Sequence, residues 1–242
     1  MHSLIALSLL AHAFTNTFTV VTTDYRFDAP AVVPAGLTTI VLVNRGHELH
    51  HVQLLRITGA DTVVAGGPNA VTPGYTAQAT VMLQPGEYLM VCWIPGPDHI
   101  PHIAKGMTRP LRVSPVTNVS LTEPRSDLTI ALTEYAFALS APLTAGRRTL
   151  RVENRGVENH EAALVRLALG RSPADVVAWI DTQVGSPPAE FIGGMTALPG
   201  GAHAYFTLDV TPGRYALLCF EPAAKDGRLH VALGMIKEVD VQ

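Results

Sequence analysis

Four residue types that bind soft metal ions recur in one order at two places in this sequence. Each group contains a histidine, a cysteine, a second histidine and a methionine, and the two groups are His50, Cys92, His102 and Met107, and His160, Cys219, His230 and Met235. A single cysteine or methionine is usually a buried apolar residue, and a single loop histidine is usually solvated. Because the same four types occur twice in the same order, we interpret both groups as metal ligands.

The donor atoms of these groups indicate copper. Two imidazoles and one thiolate in a trigonal plane, with a weak axial thioether, form the ligand set of electron-transfer copper sites. Thiolate and thioether suit Cu(I), and imidazole also holds Cu(II), so both redox states can be bound with little rearrangement. Zinc prefers a tetrahedral set and gains little from methionine, which makes it the weaker candidate. We therefore expect up to two copper ions, one in each group.

Three further histidines, His47, His51 and His99, lie in the region of the first group and have no counterparts near the second. His99 competes with His102 for the ligand role, but only His102 aligns with His230 and has four residues between it and a methionine. We interpret the three as ordinary solvated loop histidines. A second, weaker surface metal site is the alternative.

The elements that position the ligands are predicted by an internal repeat. Residues 18–57 align without gaps on residues 128–167, with fifteen identities in forty positions, and the alignment resumes after a 17-residue insertion in the second copy. The repeat predicts two domains, at 17–115 and 127–242, joined by a polar linker at 116–126 and each with a core of its own. The two cysteines occupy equivalent positions of separate copies, so we expect no disulfide between them.

Within each copy, the pattern of residues favours an antiparallel β-sandwich. Short segments rich in β-branched residues alternate with Pro-Gly and Asn-Arg-Gly turns. In the first copy this pattern predicts strands at 20–27, 38–43, 51–57, 76–83 and 88–93. The insertion, between about 169 and 193, contains Ser172 followed by Pro173, which are typical of an N-cap and a first helical residue, and it predicts a short helix.

Composition excludes several classes of protein. Hydrophobic types make up 48% of the residues and charged types 15%, which excludes a disordered chain. The net charge of −3 and the lack of a basic run exclude a nucleic-acid binder. No stretch reaches the roughly 18 apolar residues of a membrane-spanning helix. Apolar residues at 4–10 precede Ala11-His12-Ala13, which predicts a signal segment at 1–13 and a periplasmic or secreted protein.

Both copies resemble cupredoxins, the Greek-key β-sandwich family of small copper proteins. The resemblance covers about 18–114 and 127–242, and its most specific part is a Pro-Gly turn, a tyrosine and a cysteine, followed by a histidine and a methionine with four residues between them. In this sequence those residues are Pro85, Gly86, Tyr88, Cys92, His102 and Met107, and Pro212, Gly213, Tyr215, Cys219, His230 and Met235. The resemblance implies an all-β fold of two tandem Greek-key sandwiches, and it implies that the two groups, with His50 and His160, each ligate one copper ion.

The sequence departs from small blue copper proteins in two respects. Nine residues separate Cys92 from His102, and ten separate Cys219 from His230, where those proteins have two to four. Copper nitrite reductases carry a similarly long loop. The residue after the first histidine is commonly Asn or Ser in the family, and here it is His51 or Glu161.

Tandem cupredoxins also form copper nitrite reductases and multicopper oxidases, whose catalytic centres need a histidine directly before the cysteine and His-x-His motifs. Here Val91 and Leu218 precede the cysteines, and no His-x-His occurs. We therefore expect a one-electron carrier of the cell envelope and not an enzyme. A redox partner is expected to dock on an apolar patch around an exposed edge of His102, near Ile100, Pro101 and Ile103. The alternatives are copper storage or delivery, a metal-free structural module of a periplasmic assembly and, less favoured, a nitrite-reductase-like enzyme.

Overall fold

The computed structural model describes residues 16–117 and 122–242. The predicted signal segment at 1–13 lies outside the described residues, and so does part of the predicted linker. In the first copy the strands are β1 (Asn16–Thr23), β2 (Arg26–Asp28), β3 (Val32–Pro34), β4 (Gly36–Asn44), β5 (Gln53–Thr58), β6 (Asp61–Val64), β7 (Thr76–Leu83), β8 (Gly86–Val91) and β9 (Thr108–Ser114).

In the second copy the strands are β10 (Leu128–Thr133), β11 (Ala136–Leu139), β12 (Gly146–Asn154), β13 (His160–Leu167), β14 (Ala189–Leu198), β15 (His203–Val210), β16 (Gly213–Leu218) and β17 (Ile236–Val241). A short 3-10 helix follows the cysteine in each copy, at His102–Lys105 and His230–Leu233. The predicted linker lies between the end of β9 and the start of β10. None of the helices in the described part of the chain is long and apolar enough to cross a membrane.

Each copy is a two-layered β-sandwich, as the sequence predicts. In the first copy, β2, β1, β4 and β7 face a five-stranded sheet in the order β3-β9-β8-β5-β6. In the second, β11, β10, β12 and β15 face a four-stranded sheet in the order β14-β13-β16-β17. Alternate residues of β1 are buried, including Phe18, Val20 and Thr22, because successive side chains of a strand point to opposite faces.

Two of the differences between the observed strands and the sequence-based prediction affect residues near the first group of predicted ligands. The strand predicted at 20–27 is divided by a turn at Asp24 and Tyr25, where Tyr25 has a φ of 64°. The strand predicted at 88–93 ends at Val91, so Cys92 lies directly after β8. A divided strand still alternates apolar and polar residues on both sides of its turn, so the pattern alone does not reveal the break.

The insertion forms the predicted helix, α1 (Pro173–Thr182). The Ser172 hydroxyl accepts a hydrogen bond from the Asp175 amide, and the Asp175 carboxylate accepts one from the Ser172 amide at 2.7 Å. This reciprocal arrangement satisfies backbone donors that a helix leaves unpaired at its N-terminus. Val176 is fully buried and attaches the helix to a small apolar cluster that contains Val165 and Phe191.

The two copies share one continuous sheet of eight strands, in the order β11-β10-β12-β15-β7-β4-β1-β2. The junction is the antiparallel pair of β7 and β15, which are the same strand of the repeat, and Ala79 lies opposite its own counterpart, Phe206. A second junction pairs residues 66–72 with β14, with Pro68 opposite Met195. There the Gly66 amide donates to the Ala197 carbonyl at 3.1 Å.

The apolar core continues across this junction. One cluster of buried residues includes Ile40 and Ala79 from the first copy, and Phe206 and Val152 from the second. The expectation of a separate core for each sandwich is therefore wrong. The reason is that β7 and β15 are interior strands of the shared sheet, so the sheet layer of one sandwich runs directly into that of the other.

Candidate metal centres

The first centre brings together three of the four predicted ligands. One nitrogen of His50, one nitrogen of His102 and the sulfur of Cys92 all lie within 4.8 Å of one another. The two Nδ1 atoms are 3.2 Å apart, and Cys92 Sγ is 3.5 Å from His102 Nδ1. All three side chains are fully buried, so these donors face each other and not solvent.

The second centre repeats this geometry with His160, Cys219 and His230. The two Nδ1 atoms are 3.0 Å apart, and Cys219 Sγ is 3.4 Å from His230 Nδ1. The three side chains are again fully buried. The backbone amide of Glu161 donates to Cys219 Sγ at 3.4 Å.

An asparagine fixes the loop that leads to the first histidine of each centre. Asn44 Nδ2 donates to the carbonyls of Glu48 at 2.8 Å and Val71 at 2.9 Å, and its Oδ1 accepts from the Gly46 amide at 2.9 Å. Asn154 forms the matching three bonds in the second copy. The repeated Asn-Arg-Gly motif is therefore a positioning device for His50 and His160.

The glycine of this motif leaves room for the imidazole. A Cβ atom at Gly46 would lie 2.7 Å from His50 Nε2 and 2.4 Å from an Asp24 oxygen. At Gly156 it would lie 2.9 Å from His160 Nε2. All three distances are shorter than van der Waals contact, so a larger residue at either position would displace the histidine.

The cysteine and the second histidine are fixed to each other through the backbone. The Ile103 amide donates to the Cys92 carbonyl at 2.9 Å, and the Met107 amide donates to the His102 carbonyl at 2.9 Å. The second copy has the same pair of bonds, from Val231 to Cys219 and from Met235 to His230. Met107 and Met235 are fully buried, and their axial ligand role stays a prediction.

A tyrosine forms two hydrogen bonds to the turn before the strand that leads to each cysteine. The Tyr88 hydroxyl donates to the Gln84 carbonyl at 2.9 Å and accepts from the Gln84 amide at 3.1 Å. Tyr215 forms the same two bonds with Thr211, at 2.7 and 3.2 Å. The Pro-Gly-x-Tyr part of the motif therefore sets the start of β8 and β16, at whose ends the cysteines lie.

Carboxylates hold the outer nitrogens of the first centre's imidazoles. His102 Nε2 is 2.8 Å from Glu48 Oε2, and His50 Nε2 is 3.3 Å from Asp24 Oδ1. An ionised carboxylate only accepts hydrogen bonds, so the proton of each ring lies on Nε2 and the Nδ1 lone pair is free. Partial burial raises the pKa of Asp24, but hydrogen bonds from His47 and His50 outweigh it and lower that pKa to about 2.

In the second centre, one of the two imidazoles has a hydrogen bond to a carboxylate. His230 Nε2 is 3.0 Å from Glu158 Oε2, whereas His160 Nε2 is 3.9 Å from Glu134 and has no hydrogen-bond partner among the described residues. Sequence reasoning missed these carboxylates. A signal was present, because Glu134 and Glu158 are the repeat counterparts of the two carboxylates in the first copy.

Burial favours the uncharged forms of His50 and of both cysteines. It lowers the pKa of His50 to about 4, with a further contribution from His102, and it raises the pKa of Cys92 to about 12. Burial and the charge of Glu161 raise the pKa of the Cys219 thiol well above 9. A cation that displaces the thiol proton would gain a thiolate and two neutral imidazoles in a dry site. This donor set fits copper.

The structure corrects the interpretation of His51 as a solvated loop residue. His51 is buried, and its Nε2 accepts a hydrogen bond from the Trp93 amide at 2.9 Å. Glu161 has the equivalent contact in the second copy, with the Phe220 amide at 2.8 Å. His47 is exposed and contacts Asp24 at 2.7 Å. Among the described residues, these histidines and His99 form no metal-binding group of three.

The exposed edge that was expected for His102 is also absent. The His102 side chain is fully buried, because Glu48 and Tyr25 cover it. Of the neighbouring apolar residues, Ile100 is 46% exposed. A partner that approaches this face would meet the loop and not the imidazole.

In each domain, a histidine that follows the asparagine turn, a cysteine directly after a late strand and a histidine at the start of the following 3-10 helix converge at a two-layered sandwich. The chain is a two-domain, cupredoxin-like protein. No protein-family model matches the sequence, and a search of curated proteins gives no match.

Among solved structures, the neighbours include auracyanins, copper oxidases and copper nitrite reductases. Auracyanin from Roseiflexus castenholzii is 26% identical over 47% of this chain and 94% of that chain, with a TM-score of 0.35. The blue copper oxidase of Nitrosomonas europaea is 14% identical over 94% of this chain and 86% of its own, with a TM-score of 0.30. The copper nitrite reductase of the same organism is 14% identical over 95% and 94%, with a TM-score of 0.28. At such scores, the cupredoxin-like description depends on the strands and side chains described above.

Proposed function

We propose that this protein is a one-electron carrier that binds one copper ion in each domain. The observation that carries the proposal is the duplicated His-Cys-His group, buried and preformed between strand ends. Copper, when bound, supplies reversible one-electron chemistry. Copper would be held by His50, Cys92, His102 and Met107 in the first domain, and by His160, Cys219, His230 and Met235 in the second.

The chain's own residues favour both redox states of such a site. Backbone bonds fix the cysteine to the second histidine, and the asparagine-held loop fixes the first histidine. A rigid donor set changes little when the charge of the ion changes, so little reorganisation accompanies electron transfer. Burial excludes water, and the lack of a histidine before either cysteine favours a carrier over an oxidase or a nitrite reductase.

Two further parts of the proposal concern location and partner. The apolar segment at 4–10 with its small-residue site supports the proposal that the protein is exported to the periplasm or out of the cell. The partner would be a redox protein that docks near Ile100, Pro101 and Ile103. This loop connects to the first centre through the Ile103 amide, which donates to the Cys92 carbonyl.

Visible spectroscopy of the copper-loaded protein tests the proposal. A thiolate–Cu(II) bond should give an intense visible band that ascorbate bleaches and re-oxidation restores. Metal analysis should find two copper ions, and Cys92→Ser and Cys219→Ser should each remove one. Met107→Leu should leave copper bound and shift its reduction potential, because a weakly bound thioether affects the potential more than it affects copper affinity. His50→Ala should abolish the contribution of the first centre.

Copper storage or delivery is the second candidate function, and the complete burial of both histidines in each centre favours it. A buried imidazole offers a partner no direct contact with the ligand sphere. Copper that binds at two per chain without a reversible charge-transfer band would establish this function in place of electron transfer.

A further inference from the structure

The two centres differ in how the first histidine is held. His50 Nε2 lies 3.3 Å from Asp24 Oδ1, so this ring has an acceptor for its outer N–H. The equivalent atom, His160 Nε2, is buried and forms no hydrogen bond with any described residue. The carboxylate of Glu134 lies 3.9 Å from it. The two duplicated ligand sets are therefore not equivalent around their first histidines.

This difference affects where the protons of the rings lie in the copper-free protein. In the second centre, Glu158 accepts the outer proton of His230, so His230 Nδ1 carries a lone pair. His160 can then place its own proton on Nδ1 and donate it to His230 Nδ1, which is 3.0 Å away. In the first centre both protons lie on Nε2, and the two Nδ1 lone pairs face each other at 3.2 Å.

A metal ion on the Nδ1 atoms would therefore affect the two pairs of histidines differently. In the first centre it removes an unfavourable contact between lone pairs, and both outer N–H groups keep their carboxylates. In the second centre it displaces the hydrogen bond between the rings and moves the His160 proton to Nε2. That N–H is then buried without an acceptor, which is unfavourable. Loss of a carboxylate contact of this kind typically lowers metal affinity about 10–100-fold.

A second difference concerns the carboxylate behind the other histidine. In the first centre this carboxylate, Glu48, also accepts from the Tyr25 hydroxyl at 2.7 Å. Lys105 Nζ donates to the same hydroxyl at 3.1 Å and pairs with Asp98, in the loop between the cysteine and the histidine, at 2.8 Å. Leu233 occupies the position of Lys105 in the second copy and has no side-chain donor. The link from the carboxylate to the ligand loop is therefore specific to the first centre.

We infer that the second centre is the exchangeable copper site of this protein, because its first histidine has no carboxylate partner, and that the first centre retains its ion. This inference rests on the proposed function, since both centres must bind copper. The ion would leave as Cu(I) to a soft acceptor such as a thiolate, and Cys219 Sγ would take up a proton from water in its place. Asp24 and Lys105 are positioning residues, which act on the first centre through His50 and Glu48.

Competition with bathocuproine disulfonate under anaerobic, reducing conditions tests the inference. Only the first centre is complete in Cys219→Ser, and only the second in Cys92→Ser. We expect each variant to bind one Cu(I), with the second centre at least tenfold weaker and at least tenfold faster in transfer of copper to the chelator. Equal or tighter retention by the second centre would overturn the inference and leave the electron-carrier proposal intact. A parent protein that binds no copper would overturn both.

A matched pair of variants tests the cause of the difference. Asp24 accepts from the His47 amide and Glu134 from the Val157 amide, so truncation of either carboxylate loosens the same part of the repeat. Of the two, only Asp24 also bonds to the first histidine. Asp24→Ala should therefore weaken the first centre at least fivefold, and Asp24→Asn, which keeps an oxygen acceptor, should restore most of the affinity. Glu134→Ala should change the second centre less than twofold. Equal effects of the two alanine variants would overturn the inference.

Lys105→Leu places the residue of the second copy in the first, and it should speed copper transfer from the first centre severalfold. Glu87→Ala, at an exposed glutamate on β8, is the control and should transfer copper as the parent does. Circular dichroism and urea unfolding of the copper-free proteins verify that each variant is folded. Unchanged transfer in folded Asp24→Ala and Lys105→Leu proteins, or in Lys105→Leu alone if Asp24→Ala does not fold, would refute the inference.

Discussion

At the scale of single residues, the carboxylates behind the histidines set the properties of the two centres. Glu48 accepts hydrogen bonds from His102 and from the Tyr25 hydroxyl, at 2.8 and 2.7 Å. Such a carboxylate orients a ligating imidazole and makes it a better donor. Three carboxylates, Asp24, Glu48 and Glu158, contact an outer nitrogen in this way, which leaves the Nδ1 atoms of those rings facing the interior of the centres.

Replacing Glu48 should weaken copper binding at the first centre. Glu48→Ala removes the partner of His102 Nε2, and loss of such a contact typically lowers metal affinity about 10–100-fold. Competitive titration with a copper chelator measures the affinity. Glu48→Gln keeps an oxygen acceptor and should restore part of it, while Glu87→Gln should have no effect. Unchanged affinity in Glu48→Ala would mean that this carboxylate does not support the site.

The cysteines should be present as two free thiols. Both are free and buried, and burial raises the pKa of each. In copper-free native protein they should therefore react slowly with a thiol reagent at pH 8, and denaturation under non-oxidising conditions should expose two reactive thiols per chain. Finding fewer than two would point to a disulfide or to oxidation, and would contradict the ligand role.

His51 should make the copper-free protein sensitive to acid. Burial lowers its pKa from 6.5 to about 3. Between these values the unfolded chain binds a proton that the native state does not, so the free energy of unfolding falls as pH falls, by about 1.4 kcal/mol per pH unit. His51→Gln keeps an acceptor for the Trp93 amide and should flatten this slope by about that amount in urea titrations from pH 6.5 to 4.5. A variant slope equal to the parent's would refute this explanation.

Much of the site could be predicted from the sequence because its ligands are duplicated. Cys92 and Cys219, with the histidines of the same order, stand out since rare residue types recur at equivalent positions. The burial of His51 could not be predicted in this way, because its counterpart is Glu161 and the shared feature is a contact to a backbone amide. That contact depends on the fold and leaves no common residue type.

At the scale of elements, the asparagine turn after β4 and β12 is the feature that sets the first histidine of each centre. Its side chain bonds three backbone groups, which join the loop to the neighbouring segment that contains Val71 in the first domain and Leu198 in the second. A loop of this kind is stiff only while those bonds exist. The position of His50 therefore depends on a residue six positions earlier.

Truncation of this asparagine should loosen one centre and leave the other intact. Asn44→Ala removes four hydrogen bonds, two of them buried, at about 1 kcal/mol each, so we expect a loss of stability of about 2–4 kcal/mol in urea unfolding. It should also broaden the visible band of the first centre. Asn154→Ala is the matched variant and should affect the second centre alone. Equal effects of either variant on both centres would show that the loops do not act separately.

The elements themselves were mostly predictable, while their partners across the domains were not. The alternation in β7 and the Ser172-Pro173 start of α1 are local signals, and both elements are where the sequence predicts them. The pairing of β7 with β15 joins segments far apart in the chain. Both strands are apolar on the faces that pack against the core. The sequence of neither strand indicates that its unpaired edge pairs with the equivalent strand of the other copy.

At the scale of the whole molecule, the shared sheet should make the two domains unfold together. One apolar cluster crosses the junction, and Phe206 opposite Ala79 lies at its centre. Calorimetry of the copper-free protein should therefore give one transition, because unfolding of one domain would leave the edge of β7 or β15 in the other unpaired and would expose the shared apolar cluster. Two transitions in the parent protein would contradict this expectation.

A pair of matched truncations tests whether the junction is the cause. Phe206→Ala should destabilise the protein by about 3–5 kcal/mol and split the transition in two, because it weakens the contact between the domains. Phe137→Ala removes the same side chain from β11, at the far edge of the sheet, and should lower the melting temperature while keeping one transition.

The pairing of Ala79 with Phe206 has a consequence for symmetry. In a dimer of two identical chains, a residue on the two-fold axis meets its own copy, so it must be compatible with itself. Here the two halves are one polypeptide, and a small residue lies opposite a large one at that position. The association is also independent of protein concentration, because the halves are tethered. A cavity between the domains is asymmetric for the same reason. The equivalent positions His51 and Glu161 both line it, whereas a symmetric dimer would place the same residue type at both positions.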